Sequence, residues 1–116
     1  MAKKHKKLRV YLAGPMSGKK DFNFPAFFKA AKQLREKGYK VFNPAEEDIK
    51  IWGDLETIKK KANYRDCLRT DLNWILDQAH AIALLPGYKK SKGVKAELAL
   101  AKALGLKEIY LGKKKK

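Results

Sequence analysis

Two acidic residues stand where helices of this sequence should bury apolar ones. Asp71 follows Leu68 by three residues and precedes Ile75 by four; Glu97 follows Val94 by three and precedes Ala101 by four. Residues at these spacings share a helix face, so both carboxyls lie on or beside the side that faces the core. A carboxylate removed from water without a partner is costly. One account of such a residue is an ion pair, with Arg65, Arg69 or a lysine as partner. Another is a place at the edge of the apolar stripe, with the carboxylate in solvent. A third is chemistry: two carboxyl groups carried by different helices can divide the roles of nucleophile and general acid or base. Two acids at comparable positions, on helices flanking the same strand, favour the third account.

Small-residue turns accompany them. Gly14-Pro15-Met16-Ser17-Gly18 follows one short apolar run, and Pro86-Gly87 ends another. Ser91-Lys92-Gly93 then opens the helix that bears Glu97. Small side chains let backbone approach a ligand, and the first N–H groups of a helix suit an anion. Ser91 adds a hydroxyl, and Lys89, Lys90 and Lys92 add positive charge. An ordinary strand-to-helix turn with Ser91 as its N-cap reads the same way. Neither glycine segment matches the dinucleotide or P-loop pattern.

The elements that must hold these residues follow from periodicity. Leu8 to Ala13 is a short apolar run, read as a buried strand. Phe24 to Lys37 carries Phe24, Phe27, Phe28, Ala31 and Leu34 at helical spacing, with Gly38 as its stop. Tyr39 to Phe42 is a second strand, closed by Asn43-Pro44. Residues 45–62, with a Glu-Glu-Asp run, Trp52-Gly53 and a lysine triplet, read as a connection with room for a short helix: a solvated link or a mobile flap over the site. Tyr64 to Ala79 is a helix with Leu68, Leu72, Ile75, Leu76 and Ala79 as its stripe. His80 to Leu85 is the third strand. A helix with Val94, Leu98, Ala101 and Leu104 on one face ends at Gly105, and Glu108 to Leu111 is the fourth strand. This alternation predicts an α/β fold, three-layered and Rossmann-like or flavodoxin-like, with a four- to five-stranded parallel sheet. In such sheets ligands sit outside the carboxyl ends of the strands, where the turns above fall.

Composition narrows the classes. The chain has 116 residues, 45% hydrophobic, which suits one domain with a modest core. We expect that domain over residues 8–112, between basic tails at 1–7 and 113–116. The formal charge is +16, with 28 Lys and Arg against 12 Asp and Glu. Much of the excess lies in Lys3, Lys4, Lys6, Lys7 and the closing Lys113 to Lys116, and without them the balance is still basic. Such tails could attract nucleic acid or simply aid solubility; lysine dominates over arginine, the better base and phosphate reader. Cys67 is the single cysteine, so there is no internal disulfide and no cysteine metal cluster, which suits a reducing cytoplasm. No apolar stretch reaches the length of about 18 residues that a membrane helix needs. His80 has no Cys or His companions and reads as core or surface rather than metal ligand. Neither a metal nor a cofactor is expected.

Three segments carry a resemblance: Tyr11-Leu-Ala-Gly14-Pro15, Arg69-Thr-Asp71-Leu-Asn-Trp74, and Ser91-Lys-Gly93-Val-Lys-Ala-Glu97-Leu-Ala-Leu-Ala. Together they resemble the nucleoside 2-deoxyribosyltransferase superfamily, which includes deoxyribosyltransferases and 2′-deoxynucleoside 5′-monophosphate N-glycosidases. Phe24-Pro25-Ala26-Phe27, Phe42-Asn43-Pro44 and Ala83-Leu84-Leu85-Pro86-Gly87 are similar to an often phage-encoded branch of it. The resemblance spans residues 8–111, and the Ser91 to Glu97 spacing is its most specific part.

The resemblance implies that Glu97 is the nucleophile at C1′ of a deoxyribose, as in retaining glycoside chemistry. Asp71 would position or protonate the leaving base, and Tyr11 would orient Glu97. Ser91 and nearby backbone N–H groups would hold the 5′-phosphate or 5′-hydroxyl. Gly14, Pro15, Ser17, Pro86, Gly87 and Gly93 would line the small-molecule nucleoside or nucleotide. It also implies a homodimer or higher homo-oligomer, with Trp52, Trp74 and Phe28 as candidate contacts. Three departures stand out. Ser17 occupies the place of a phosphate-clamping arginine, which leaves Lys19 or Lys20 as substitutes. His80 replaces an acidic residue, and the chain closes in four lysines where the transferases lend a carboxamide or carboxylate to a neighbouring subunit. These departures favour cleavage over base exchange. A non-catalytic nucleotide-sensing module and a lysine-rich nucleic-acid-binding accessory protein are the alternatives.

Overall fold

The computed structural model describes residues 7–112. The basic tails therefore lie outside the described residues, apart from Lys7. The elements are β1 (Arg9–Ala13), α1 (Phe24–Glu36), β2 (Lys40–Phe42), α2 (Pro44–Trp52), α3 (Leu55–Lys61), α4 (Tyr64–Gln78), β3 (Ala81–Leu84), α5 (Lys92–Leu104) and β4 (Lys107–Tyr110). The sheet has four strands in the order β2-β1-β3-β4, and every pairing is parallel. Helices cover both faces, so the fold is the expected three-layer α/β arrangement. No helix of the described residues is long and apolar enough to cross a membrane.

Alternation along the strands explains the layers. Val10 and Leu12 of β1, with Ala81 and Ala83 of β3, point to one face and meet Phe24, Phe27, Ala31 and Leu34 of α1. Tyr11 and Ala13, with Ile82 and Leu84, point to the other and meet Ile75 of α4 and Val94 and Ala101 of α5. A sheet buried on both faces needs apolar side chains at every position, hence the continuous rather than alternating apolar runs.

Residues 45–62 depart from the expected link or flap: they fold into α2 and α3. The signals are local and polar. The Asn43 side chain accepts from the Ala45 N–H at 2.9 Å, and Pro44 follows in the first turn. Asp54 accepts from the Thr57 N–H at 2.8 Å and starts α3. Ala45 and Ile58 then enter the core on the α1 side. Arg35 of α1 fastens this corner, donating to both Glu46 carboxylate oxygens at 2.6 and 2.7 Å and to the Val41 carbonyl at 3.0 Å.

Two stripes are narrower than periodicity suggests. Leu76 is 56% exposed and Leu104 is 42% exposed. In α4 only Ile75 is fully buried, because Trp74 turns inward and stacks on Phe42 instead. Leu104 lies at the last turn of α5, where Gly105 takes a left-handed conformation and ends the helix.

Candidate active site

Tyr11 lies mid-strand in β1, opposite Phe42 of β2 and Ile82 of β3. Its ring is 1% exposed and points to the α4–α5 face. Its hydroxyl donates to Glu97 Oε2 at 2.8 Å and also faces Asp71. Glu97, in the second turn of α5, is 6% exposed; Asp71, midway along α4, is partly buried. The structure thus brings Tyr11, Asp71 and Glu97 together from three elements. Ion pairing does not account for either acid. The ion pairs among the described residues are Arg35–Glu46, Arg69–Asp66 and Lys102–Glu108, and they leave Asp71 and Glu97 out.

The electrostatics follow from burial. Loss of water pushes the Glu97 carboxyl up to about 8, the Asp71 charge pushes further, and the Tyr11 hydrogen bond opposes both. Asp71 is pushed up to about 7, by burial first, then by the charge of Asp48. Tyr11 is held well above its ordinary range by burial and by the two carboxylates. The pair therefore exchanges protons near neutrality, as groups poised for proton transfer do.

Asp48 is a participant that sequence reasoning missed. It lies on α2, and its charge, with that of Glu47, acts on Asp71. Burial raises Asp48 itself to about 6. Cys67, one turn before Asp71 on α4, shares a hydrogen bond with Asp48. Burial, then Asp48 and Asp71, push the Cys67 thiol to about 11, so it is not a nucleophile at neutral pH. The Glu-Glu-Asp run was visible in the sequence; only the Asn43-Pro44 helix start could have shown that it faces α4. The aromatic wall was missed as well. Phe42 stacks on Tyr11 with centroids 5.6 Å apart and on Trp74 at 4.9 Å.

The two small-residue turns touch each other. A Cβ on Gly14 would lie 2.7 Å from Leu85 Cδ1 and 2.8 Å from its Cβ, so only glycine lets β1 end this close to the β3 turn. Pro15 is buried, and its ring lies against Gly87, whose φ is +86°. The Ser91 hydroxyl accepts from the Val94 N–H at 3.2 Å and caps α5. Gly93 lies beside the hydroxyl of Tyr64, the first residue of α4, a neighbour not foreseen. Pro86 is exposed and abuts Gly112, and Ser17 is exposed as well.

Two shallow hollows, each of about 250 Å³, are lined by neither Asp71 nor Glu97. One is lined by Tyr88, Lys89, Val94, Lys95 and Leu98, so it borders the turn of α5 that carries Glu97. The other lies at the β2 edge, among Arg9, Lys40, Val41, Phe42, Trp74 and Gln78. Among the described residues no group of three His, Cys, Asp or Glu side chains could hold a metal ion. His80 is exposed, and its Nδ1 accepts from the Arg9 N–H at 3.0 Å. Of the candidate subunit contacts, Phe28 is 39% exposed and edge-on to Phe24. Trp52 packs partly buried against the α1-side core, and Trp74 belongs to the aromatic wall.

Among curated proteins none matches the chain. One family model matches residues 8–110, that of a domain of unknown function, DUF4406, and the chain belongs to that family.

Proposed function

We propose that this protein cleaves the N-glycosidic bond of a 2′-deoxynucleoside or its 5′-monophosphate, with Glu97 as nucleophile. The observation that carries the reading is the buried Glu97 carboxyl, bound by the Tyr11 phenol and faced by a second raised carboxyl, Asp71. Core packing alone does not call for such an arrangement, because burying two acids without a cation is destabilising.

The chemistry balances within the site. The ionised Glu97 attacks C1′ as the C1′–N bond breaks, and the base leaves with the proton of Asp71. The product is a glycosyl ester on Glu97. Water then attacks C1′, gives a proton to the Asp71 carboxylate, and releases 2-deoxyribose or its 5-phosphate and the Glu97 carboxylate. Tyr11 favours the ionised Glu97 by donating to it. A base acceptor in place of water would give exchange.

The test is incubation with the common deoxynucleosides and their 5′-monophosphates, followed by chromatography for free base. Release that Glu97→Gln abolishes supports the reading. No release from any of them, with Glu97→Gln indistinguishable, overturns it; ligand-induced thermal stabilisation without release would point to a sensing module.

A further inference from the structure

Strand register puts two cations side by side at the edge of the sheet. Arg9 of β1 pairs with Lys40 of β2, and two residues on, Tyr11 pairs with Phe42. Strand side chains alternate between faces, so these four share one. Tyr11 and Phe42 pack in the cluster under α4 and α5, whereas Val10 and Val41 pack on the α1 side. Arg9 and Lys40 therefore stand on the α4 side. Neighbouring strands lie about 4.8 Å apart, and like charges at that spacing repel. Neither Arg9 nor Lys40 is in an ion pair among the described residues. The fold thus holds an unfavourable pair that an anion would relieve.

The surroundings are arranged to receive one. Arg9 Nε donates to the Gln78 carbonyl at 2.6 Å, which fixes the guanidinium against the end of α4. That bond leaves the two Nη groups, the end of the fork that can meet a carboxylate or phosphate with two parallel hydrogen bonds. Arg9 and Lys40 line one hollow of about 250 Å³ together with Phe42, Trp74 and Gln78. β2 is the edge strand, and α1 packs on its other face. On this face Trp74 of α4 reaches across and stacks on Phe42 with centroids 4.9 Å apart. Both rings are half-buried, so each keeps some surface open. The hollow has a cationic end and an aromatic wall. Its volume falls below the range of about 300–1,000 Å³ that drug-sized ligands occupy, so it suits a small molecule.

We propose that this hollow is a binding site, separate from the carboxyl pair, for a small planar aromatic anion: the ring packs against Phe42 and Trp74, and the anionic group lies between the Arg9 guanidinium and the Lys40 ammonium. A carboxylate and a phosphate both meet this chemistry. A ring without charge leaves the two cations in repulsion, and an anion without a ring leaves the aromatic wall in water, so each half alone binds weakly. The site does not depend on the glycosidic reading, because neither Asp71 nor Glu97 lines it.

The experiment is calorimetric titration of benzoate and phenyl phosphate into the unaltered protein, with benzyl alcohol as the ring alone and acetate and inorganic phosphate as the charge alone. At least one aromatic anion is expected to bind about tenfold tighter or more than either half. It should also shift the fluorescence of Trp74, read in Trp52→Phe protein, where Trp74 is the one tryptophan left. A preference between the two aromatic anions names the anionic group. Lys40→Gln should weaken binding about tenfold, and Lys40→Glu should abolish it. Without ligand, Lys40→Glu turns a like pair into an opposite one and should raise the melting temperature. That gain should exceed the gain from Lys107→Glu on the other edge strand, whose neighbour across the sheet is Ala81. Glu97→Gln protein should bind as the unaltered protein does. Aromatic anions that bind no tighter than the separate halves, binding that survives Lys40→Glu, binding lost in Glu97→Gln, or a gain from Lys40→Glu no larger than that from Lys107→Glu overturns the site.

Discussion

The Tyr11 hydroxyl donates to Glu97 across 86 residues of chain, and this 2.8 Å hydrogen bond joins the central strand β1 to helix α5 inside the core. It is the sole side-chain hydrogen bond recorded for Glu97 among the described residues. Tyr11→Phe would leave the ring's packing on Phe42 in place and remove the donor. A hydrogen bond to a charged group contributes about 1.5–3 kcal/mol, so base release should fall roughly ten- to a hundredfold. The carboxyl should also be harder to ionise, since the phenol is the influence that lowers it. The phenol lowers Asp71 as well, so both limbs of the kcat/KM profile move to higher pH in Tyr11→Phe. An unchanged profile would separate Tyr11 from the chemistry.

The pH profile of the unaltered protein tests the shared proton. With Asp71 raised to about 7 and Glu97 to about 8, the singly protonated pair is most populated between those values. The productive arrangement, ionised Glu97 with protonated Asp71, is the minor one within that form, because Glu97 holds the proton more tightly, and it follows the same pH dependence. We expect a bell-shaped kcat/KM with limbs near pH 7 and pH 8, belonging to the pair rather than to either residue. Glu97→Gln should lower base release by roughly a thousandfold or more.

Much of this was legible because it broke a pattern. Asp71 and Glu97 interrupt apolar stripes, and the interruptions mark the pair. Val10 to Ala13 of β1 and all of β3 are apolar, which fixes a sheet buried on both faces. What was illegible depends on short polar signals or on distance. The Asn43 and Asp54 caps start α2 and α3, but seven- and nine-residue helices offer few turns of periodicity. Hence Asp48 could not be placed beside Asp71. The left-handed backbone of Asp21, Phe22 and Asn23, just before α1, was hidden as well: Asp and Asn tolerate it, but nothing about Phe22 announces it.

Gly14 tests the approach of the two turns. A Cβ there meets Leu85 side-chain atoms at 2.7 and 2.8 Å. Leu85 is buried, so it has little room to yield. Gly14→Ala should destabilise the fold by about 1–3 kcal/mol. In a domain of this size each kcal/mol lowers the melting temperature by roughly 4–8 °C. Gly18→Ala is a contrasting case: a Cβ there meets nothing within 4 Å, though φ is +78°. Its cost is then one of backbone conformation, without steric conflict with the β3 turn. A melting temperature for Gly14→Ala no lower than that for Gly18→Ala would contradict the close approach.

Stability should depend on pH in a direction opposite to that of an ion-paired acid. The folded carboxyls of Asp71 and Glu97 lie above their ordinary values of 3.8 and 4.5, so the folded state holds protons that the unfolded chain has released. Their contribution is fully present below pH 3.8 and is lost progressively as the pH rises to about 8. Glu97→Gln replaces the buried acid by a neutral amide of the same shape that still accepts from Tyr11. It should therefore melt higher than the unaltered protein at pH 8, with the difference shrinking toward pH 5. Asp48→Asn should act differently. It removes the like charge that is the second cause of the Asp71 shift, so the Asp71 step moves to lower pH, and the activity optimum moves with it. Melting curves and rate profiles over the same pH range distinguish the two. A Glu97→Gln protein less stable at pH 8 than the unaltered one would mean that the buried carboxylate is held by a favourable partner, and the electrostatic basis of the site would have to be abandoned.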